Sequence, residues 1–110
     1  MEIPDAFVQM AKASQGLTII VVKGNGQPLF AHPAQAAKNN VVKPTVHVVN
    51  RISKITNGSE KPELVIYQSD QCVRIIGQID QSSWLQICDE TCPNLGLAIR
   101  QFEQYANLFA

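Results

Sequence analysis

Between Gly16 and Phe30 the chain reads GLTIIVVKGNGQPLF. Leu17 to Val22 is an uncharged, mostly β-branched run. Such side chains lose rotamer freedom in a helix and pack well on a pleated surface, so the run predicts a strand. Lys23-Gly24-Asn25-Gly26 then supplies residues that tolerate positive φ, and Pro28-Leu29-Phe30 returns the chain. The whole segment predicts a β-hairpin. In its first strand Leu17, Ile19 and Val21 face one way, and Thr18, Ile20 and Val22 the other. Both faces are apolar, which is expected of a strand placed centrally with helices above and below. Pro28 has no N–H to donate, so the return strand, Gln27 to Ala31, is expected at an edge. Gly24-Asn25-Gly26 is not read as a phosphate cradle. A P-loop needs GxxxxGK[ST] opening a helix, and this turn leads into a strand.

The rest of the chain arranges itself around that hairpin. Residues 4 to 14 predict a helix: Pro4 suits its start, Asp5 favours the positive dipole end, and Ile3, Phe7, Met10 and Ala11 share one stripe. Gly16 ends it. Residues 32 to 43, HPAQAAKNNVVK, carry no pattern and are expected to be loop. Residues 44 to 56 are ambiguous. PTVHVV suits a strand by propensity, yet Val46, Val49, Ile52 and Ile55 recur every three residues between polar neighbours. Pro44 at the start and Asn57-Gly58 past the end favour a helix. Glu63 to Asp70 and Gln71 to Ile79 predict two strands joined at Ser69-Asp70-Gln71, and Trp84 to Cys88 a fifth. Asn94 is placed to cap a last helix whose Leu95, Ala98, Ile99, Phe102, Tyr105, Ala106 and Phe109 form one face. The expected order is α-β-β-α-β-β-β-α, an α+β class, in one domain spanning 1–110.

Composition narrows the function. The chain is 45% hydrophobic but only 16% charged, so some apolar surface is expected to remain for a partner. Nine basic and nine acidic residues cancel, and no run of Lys or Arg occurs. Counterion release needs a concentrated positive face, so nucleic acid is disfavoured as a partner, as is direct binding to anionic membranes. Leu17 to Val22 is too short to cross a bilayer. MEIPDAF has neither a basic region nor an apolar signal core, and the cysteines number three, so reduced thiols in the cytosol are expected. Asn57-Gly58-Ser59 matches a glycosylation sequon but serves better as a helix end and turn.

Chemistry-bearing groups are sparse. Cys88 and Cys92 have CxxxC spacing, but a zinc site needs about four ligands, and Cys72, His32 and His47 lie on other elements. Small buried core residues explain the cysteines more simply. Cys92 precedes the last helix, where a thiol pKa falls modestly, but no base accompanies it. His47 sits among apolar residues and suits an interface; His32 is expected in solvent. Asp89-Glu90 are adjacent, so they project apart and nothing activates them. Tyr67 and Trp84 are expected to pack rather than stack on bases. No catalytic, cofactor or metal site is expected. One feature does point outward. Glu63-Leu64-Val65-Ile66-Tyr67 has apolar residues on both faces. At a sheet edge such a strand needs a cover, and the same edge of a second domain provides one.

The hairpin GLTIIVV followed by Gly26-Gln27-Pro28-Leu29, the Lys43-Pro44 pair before the middle element, and Asn94-Leu95-Gly96-Leu97 opening the last helix together resemble the roadblock/dynein light chain (LC7) superfamily. Its usual acidic turn is Lys23-Gly24-Asn25 here. Within that superfamily the likeness is to the scaffold subunits of the Ragulator complex, the late endosomal and lysosomal adaptor that partners MAP-kinase components. The resemblance implies a profilin-like α/β sandwich with a central five-stranded, mainly antiparallel sheet. It implies a non-enzymatic scaffold that pairs with a second roadblock-type protein, as homodimer or heterodimer. The pairing surface would be the third strand and the middle helix, here Val46, His47, Val49, Asn50, Ile52, Ser53, Leu64, Val65, Ile66 and Tyr67. Rag-type small GTPases and MAP-kinase pathway proteins are the further partners it implies. The place would be the cytoplasmic side of late endosomes or lysosomes, reached through partners rather than by membrane insertion. A regulator that binds a small GTPase directly is the alternative within the same superfamily.

Overall fold

A computed structural model describes residues 2–23, 25, 27–33, 47, 51, 65–68, 73–80, 82–89 and 94–109. Helix α1 (Asp5–Ala13) comes first, followed by strands β1 (Leu17–Lys23) and β2 (Pro28–His32). Strands β3 (Val65–Gln68), β4 (Val73–Gln78) and β5 (Ser83–Asp89) come next, and helix α2 (Leu95–Asn107) is last. The five strands form one sheet in the order β2-β1-β5-β4-β3. Each neighbouring pair is antiparallel. The α+β expectation with a five-stranded sheet therefore holds. The middle helix expected over 44–56 lies outside the described residues except at His47 and Arg51, which are both helical.

Local chemistry explains the elements. Pro4, in extended backbone, caps α1, and the Val8 N–H donates to its carbonyl at 3.1 Å. Gly16 has φ 76°, a conformation that side chains with a Cβ avoid, and it swings the chain from α1 into β1. The hairpin turn is closed by the Lys23 N–H donating to the Gln27 carbonyl at 2.9 Å and the Gln27 N–H donating to Asn25 Oδ1 at 3.0 Å. Between β4 and β5, Asp80 Oδ1 accepts from the Ser82 N–H at 2.8 Å. Burial pushes the Asp80 carboxyl up, but the amides and hydroxyls of Ser82 and Ser83 together outweigh it and hold the group below its ordinary value.

Both faces of β1 are apolar and Ile19, Ile20, Val21 and Val22 are all fully buried, as the hairpin sequence implied. One detail differs from expectation. The midline of the sheet is β5, not β1. The two described helices take one face together, a placement the sequence pattern does not specify. Phe7 and Ala11 of α1 and Ala98, Phe102 and Tyr105 of α2 share a single cluster with Ile19, Val21, Val73, Ile75, Leu85 and Ile87. The opposite face, with Ile20, Val22, Ile76 and Trp84, is buried as well.

Three aromatic rings meet Phe7 edge-on: Phe30 at 5.3 Å, Tyr105 at 5.4 Å and Phe109 at 4.7 Å between centroids. They tie α1 to β2 and to α2. The Tyr105 hydroxyl donates to the Met10 carbonyl at 3.1 Å. Burial raises the Tyr105 pKa, against a lowering contact from Ser14. A folded value above the unfolded one means that the contribution is present below pH about 10 and is lost as pH rises through the folded value. Urea unfolding of the wild type is therefore expected to weaken more steeply above pH about 10 than that of Tyr105→Phe. Equal slopes would contradict this.

Asn94 caps α2 as its sequence position implied: Oδ1 accepts from the Leu97 N–H at 3.0 Å. Asn94→Ala is expected to cost about 1 kcal/mol of unfolding free energy, read from a urea midpoint, because one orphan amide loses its acceptor. Asn94→Gly should cost only a few tenths, about the loss seen at other caps.

Candidate functional site

A sheet built from five strands has two edges, and these are the places where backbone N–H and C=O groups are left over. One edge is β2. Pro28 begins it, and its ring leaves one fewer donor there, as expected from sequence. Among the described residues the other edge is β3, which pairs there with β4 alone. β3 pairs Val65 with Ile76, Ile66 with Ile75, Tyr67 with Arg74 and Gln68 with Val73. Through Ile75 and Ile87, Ile66 sits in the row that runs under the helices. Yet Ile66 is 39% exposed, whereas Ile75 beside it is 1% exposed. The inner strand's isoleucine is sealed and the outer one is open. Such an edge carries neither a Pro nor a Lys within Val65–Gln68. Those are the usual means of blunting an edge against pairing.

Of the residues expected to form a pairing surface, Val65, Ile66 and Tyr67 lie on this outer strand. His47 is helical and exposed, and so is Arg51 one turn later. Val46, Val49, Asn50, Ile52, Ser53 and Leu64 lie outside the described residues. The strand expected from Glu63 to Asp70 is described over Val65–Gln68 only.

Among the described residues the groups with reactive chemistry do not gather. Among the described residues no three His, Cys, Asp or Glu side chains are placed to hold a metal ion. Cys88 is buried in β5, between Thr18 of β1 and Arg74 of β4 in register. Cys72 and Cys92 lie outside the described residues. His32 corrects an expectation: it is not in a loop but ends β2, half-buried and paired with Ile19. The hairpin runs one residue further than the apolar pattern suggested, because the ladder to β1 continues past Ala31.

What the sequence did not reveal is the polar content of the middle strand. All seven residues of β5 are buried, among them Ser83 and Gln86 at 0% exposed and Asp89 at 3%. Gln86 and Asp89 both have interaction partners. Polar residues at every third position leave the strand predicted over Trp84 to Cys88 legible but conceal that both its faces are buried. Another exposed apolar side chain is Leu97 of α2, at 43%. No described helix is long and apolar enough to cross a membrane.

The fold has relatives of known structure. The gliding protein MglB from Thermus thermophilus superposes with a TM-score of 0.73 at 11% identity, covering 96% of this chain and 84% of that one. A roadblock/LC7 domain from Streptomyces avermitilis gives 0.70 at 9% identity, covering 96% and 93%. MglC from Myxococcus xanthus gives 0.57 at 12% identity, covering 93% and 91%. No family model matches the sequence, and neither does any curated protein. Likeness at this level of identity shows the fold, which is that of roadblock/LC7 domains.

Proposed function

We propose, with the roadblock/LC7 fold as premise, that this chain is a non-enzymatic adaptor subunit that docks a second roadblock-type chain. Docking extends the sheet at β3 and sets the 44–56 segment beside its counterpart. The observation that carries this is the open edge: β3 is the outermost strand, and Ile66 on it is 39% exposed. Strand addition at such an edge satisfies backbone groups that water would otherwise serve, and the apolar side chains supply specificity. One of the structural relatives is described as MglB in a tetrameric arrangement, so the fold accommodates self-assembly there.

The finer reading places the subunit in a signalling assembly at the late endosome or lysosome, next to Rag-type GTPases and MAP-kinase components. Its support is the sequence resemblance in the hairpin and at the start of α2. Direct regulation of a small GTPase is the alternative, and pull-downs against GTP- and GDP-loaded GTPases separate the two: nucleotide-dependent capture by the isolated chain favours the regulator.

Light scattering at micromolar concentration tests the docking itself. The chain alone, or mixed with a roadblock-type partner, is expected to give a particle of two chains rather than the 12.1 kDa monomer. A monomer that binds no roadblock protein would refute it.

A further inference from the structure

Docking of two chains at β3 leaves a β2 edge at each outer end of the enlarged sheet. If those edges also accepted strands, association would not close.

β2 is built differently from β3. Its first residue, Pro28, is exposed and stands opposite Val22 of β1. The Gln27 carbonyl accepts from the Lys23 N–H at 2.9 Å, so it points toward β1. Backbone groups of successive strand residues point to opposite sides within a sheet, so a donor on residue 28 would point outward, along the edge. Proline has no such donor, and its ring fills the place where an arriving carbonyl would sit. The ladder between β1 and β2 also shifts register between Val21 and Val22, next to Pro28. Such an irregularity twists an edge away from regular pairing. At the far end Pro33 follows His32 directly and again offers no N–H. Leu29, Phe30, Ala31 and His32 between the two prolines are all half-buried, and the Phe30 ring is held edge-on to Phe7 of α1 at 5.3 Å. On β3, by contrast, Ile66 is 39% exposed and neither Pro nor Lys interrupts Val65–Gln68.

We propose that Pro28 and the bulge beside it close the β2 edge to strand addition, so that docking along the sheet ends at two chains. The inference rests on docking through β3. The occupant kept out is the β2 edge of another copy, since a two-fold contact there would meet the same obstruction on both strands.

The test restores the donor. In Pro28→Val residue 28 regains an outward N–H and gains a β-branched side chain. Pro28 is exposed, so no core packing is lost, and Pro28→Thr repeats the change with a polar side chain. Sedimentation and native mass spectrometry follow the mass of the full-length chains against concentration, and circular dichroism follows their folding. Both variants are expected to pass beyond two chains at a concentration about tenfold or more below the wild type, from one recovered hydrogen bond on each of two strands. Pro28→Lys restores the donor but places charge on the edge, and should behave as the wild type does. Folded Pro28→Val and Pro28→Thr that keep the wild-type mass overturn the inference. Equal growth by Pro28→Lys also overturns it, because the larger species would then come from loss of the ring and not from strand pairing. Loss of folding in both Val and Thr variants would assign Pro28 to the hairpin's stability and overturn it as well. Ile66→Lys separates this from the reading beneath it. Added to Pro28→Val, it should cut the larger species to two chains joined at β2. If Ile66→Lys alone leaves the two-chain mass intact, docking through β3 is refuted, while growth of Pro28→Val beyond the wild-type mass still supports a closed β2.

Discussion

Phe7→Ala is expected to lower the unfolding free energy by about 3–5 kcal/mol, the range for removing a buried aromatic from a packed core. Phe7 is fully buried and its ring meets Phe30, Tyr105 and Phe109 edge-on. Truncation removes the transfer free energy of the ring and leaves a cavity where three elements converge. Edge-to-face contacts add about 0.5–1.5 kcal/mol each beyond area burial, so relaxation of the neighbours recovers little. A domain of this size has roughly 5–15 kcal/mol in total, so the variant loses a large share. Urea unfolding followed by far-ultraviolet circular dichroism measures it. Phe7→Leu keeps most of the volume and should lose clearly less. A loss under about 1 kcal/mol for Phe7→Ala would mean that α1 contributes little to the core.

Ile66→Lys is expected to weaken docking of a second chain at least about tenfold, since it removes apolar contact on both protomers and puts charge on the edge. Folding of the single chain should barely change. Ile66 is 39% exposed and its inward neighbour Ile75 keeps its own burial. The dimer fraction against concentration, read by light scattering or sedimentation, gives the effect. Leu97→Lys is the control. Leu97 is 43% exposed but lies on α2 rather than on a strand edge, so its substitution should leave the mass unchanged. If Leu97→Lys dissolved the assembly and Ile66→Lys did not, the docking surface would lie on the last helix.

The two predictions draw on parts of the chain that were unequally visible in sequence. Phe7 announced itself, because α1 has a clear apolar stripe and a Pro-Asp start. The capped α2 and the edge position of β2 followed from Asn94 and Pro28 for equally local reasons. β3 was legible as an apolar strand, but nothing local says which neighbour it pairs with. That it lies at the far end of the sheet depends on β5 inserting between β1 and β4. The pattern predicts only Trp84 to Cys88 for β5, because Ser83 reads as the end of the polar turn 80–83 and Asp89 as the start of an acidic pair, whereas the strand includes both. Its burial on both faces comes from its neighbours rather than from its own pattern.

The sequence by itself determined the local elements: the doubly apolar β1, the glycine turn, the Pro28 edge strand and the two amphipathic helices. Each depends on side-chain periodicity and backbone φ preference, which act over a few residues. Tertiary structure alone decided the strand order, the shared face of α1 and α2, and which apolar strand remained open. Those depend on pairings between residues far apart in the chain, such as Leu17 with Asp89 and Val21 with Leu85. Long-range pairing is chosen by the total burial of the whole sheet, a quantity that no single segment encodes.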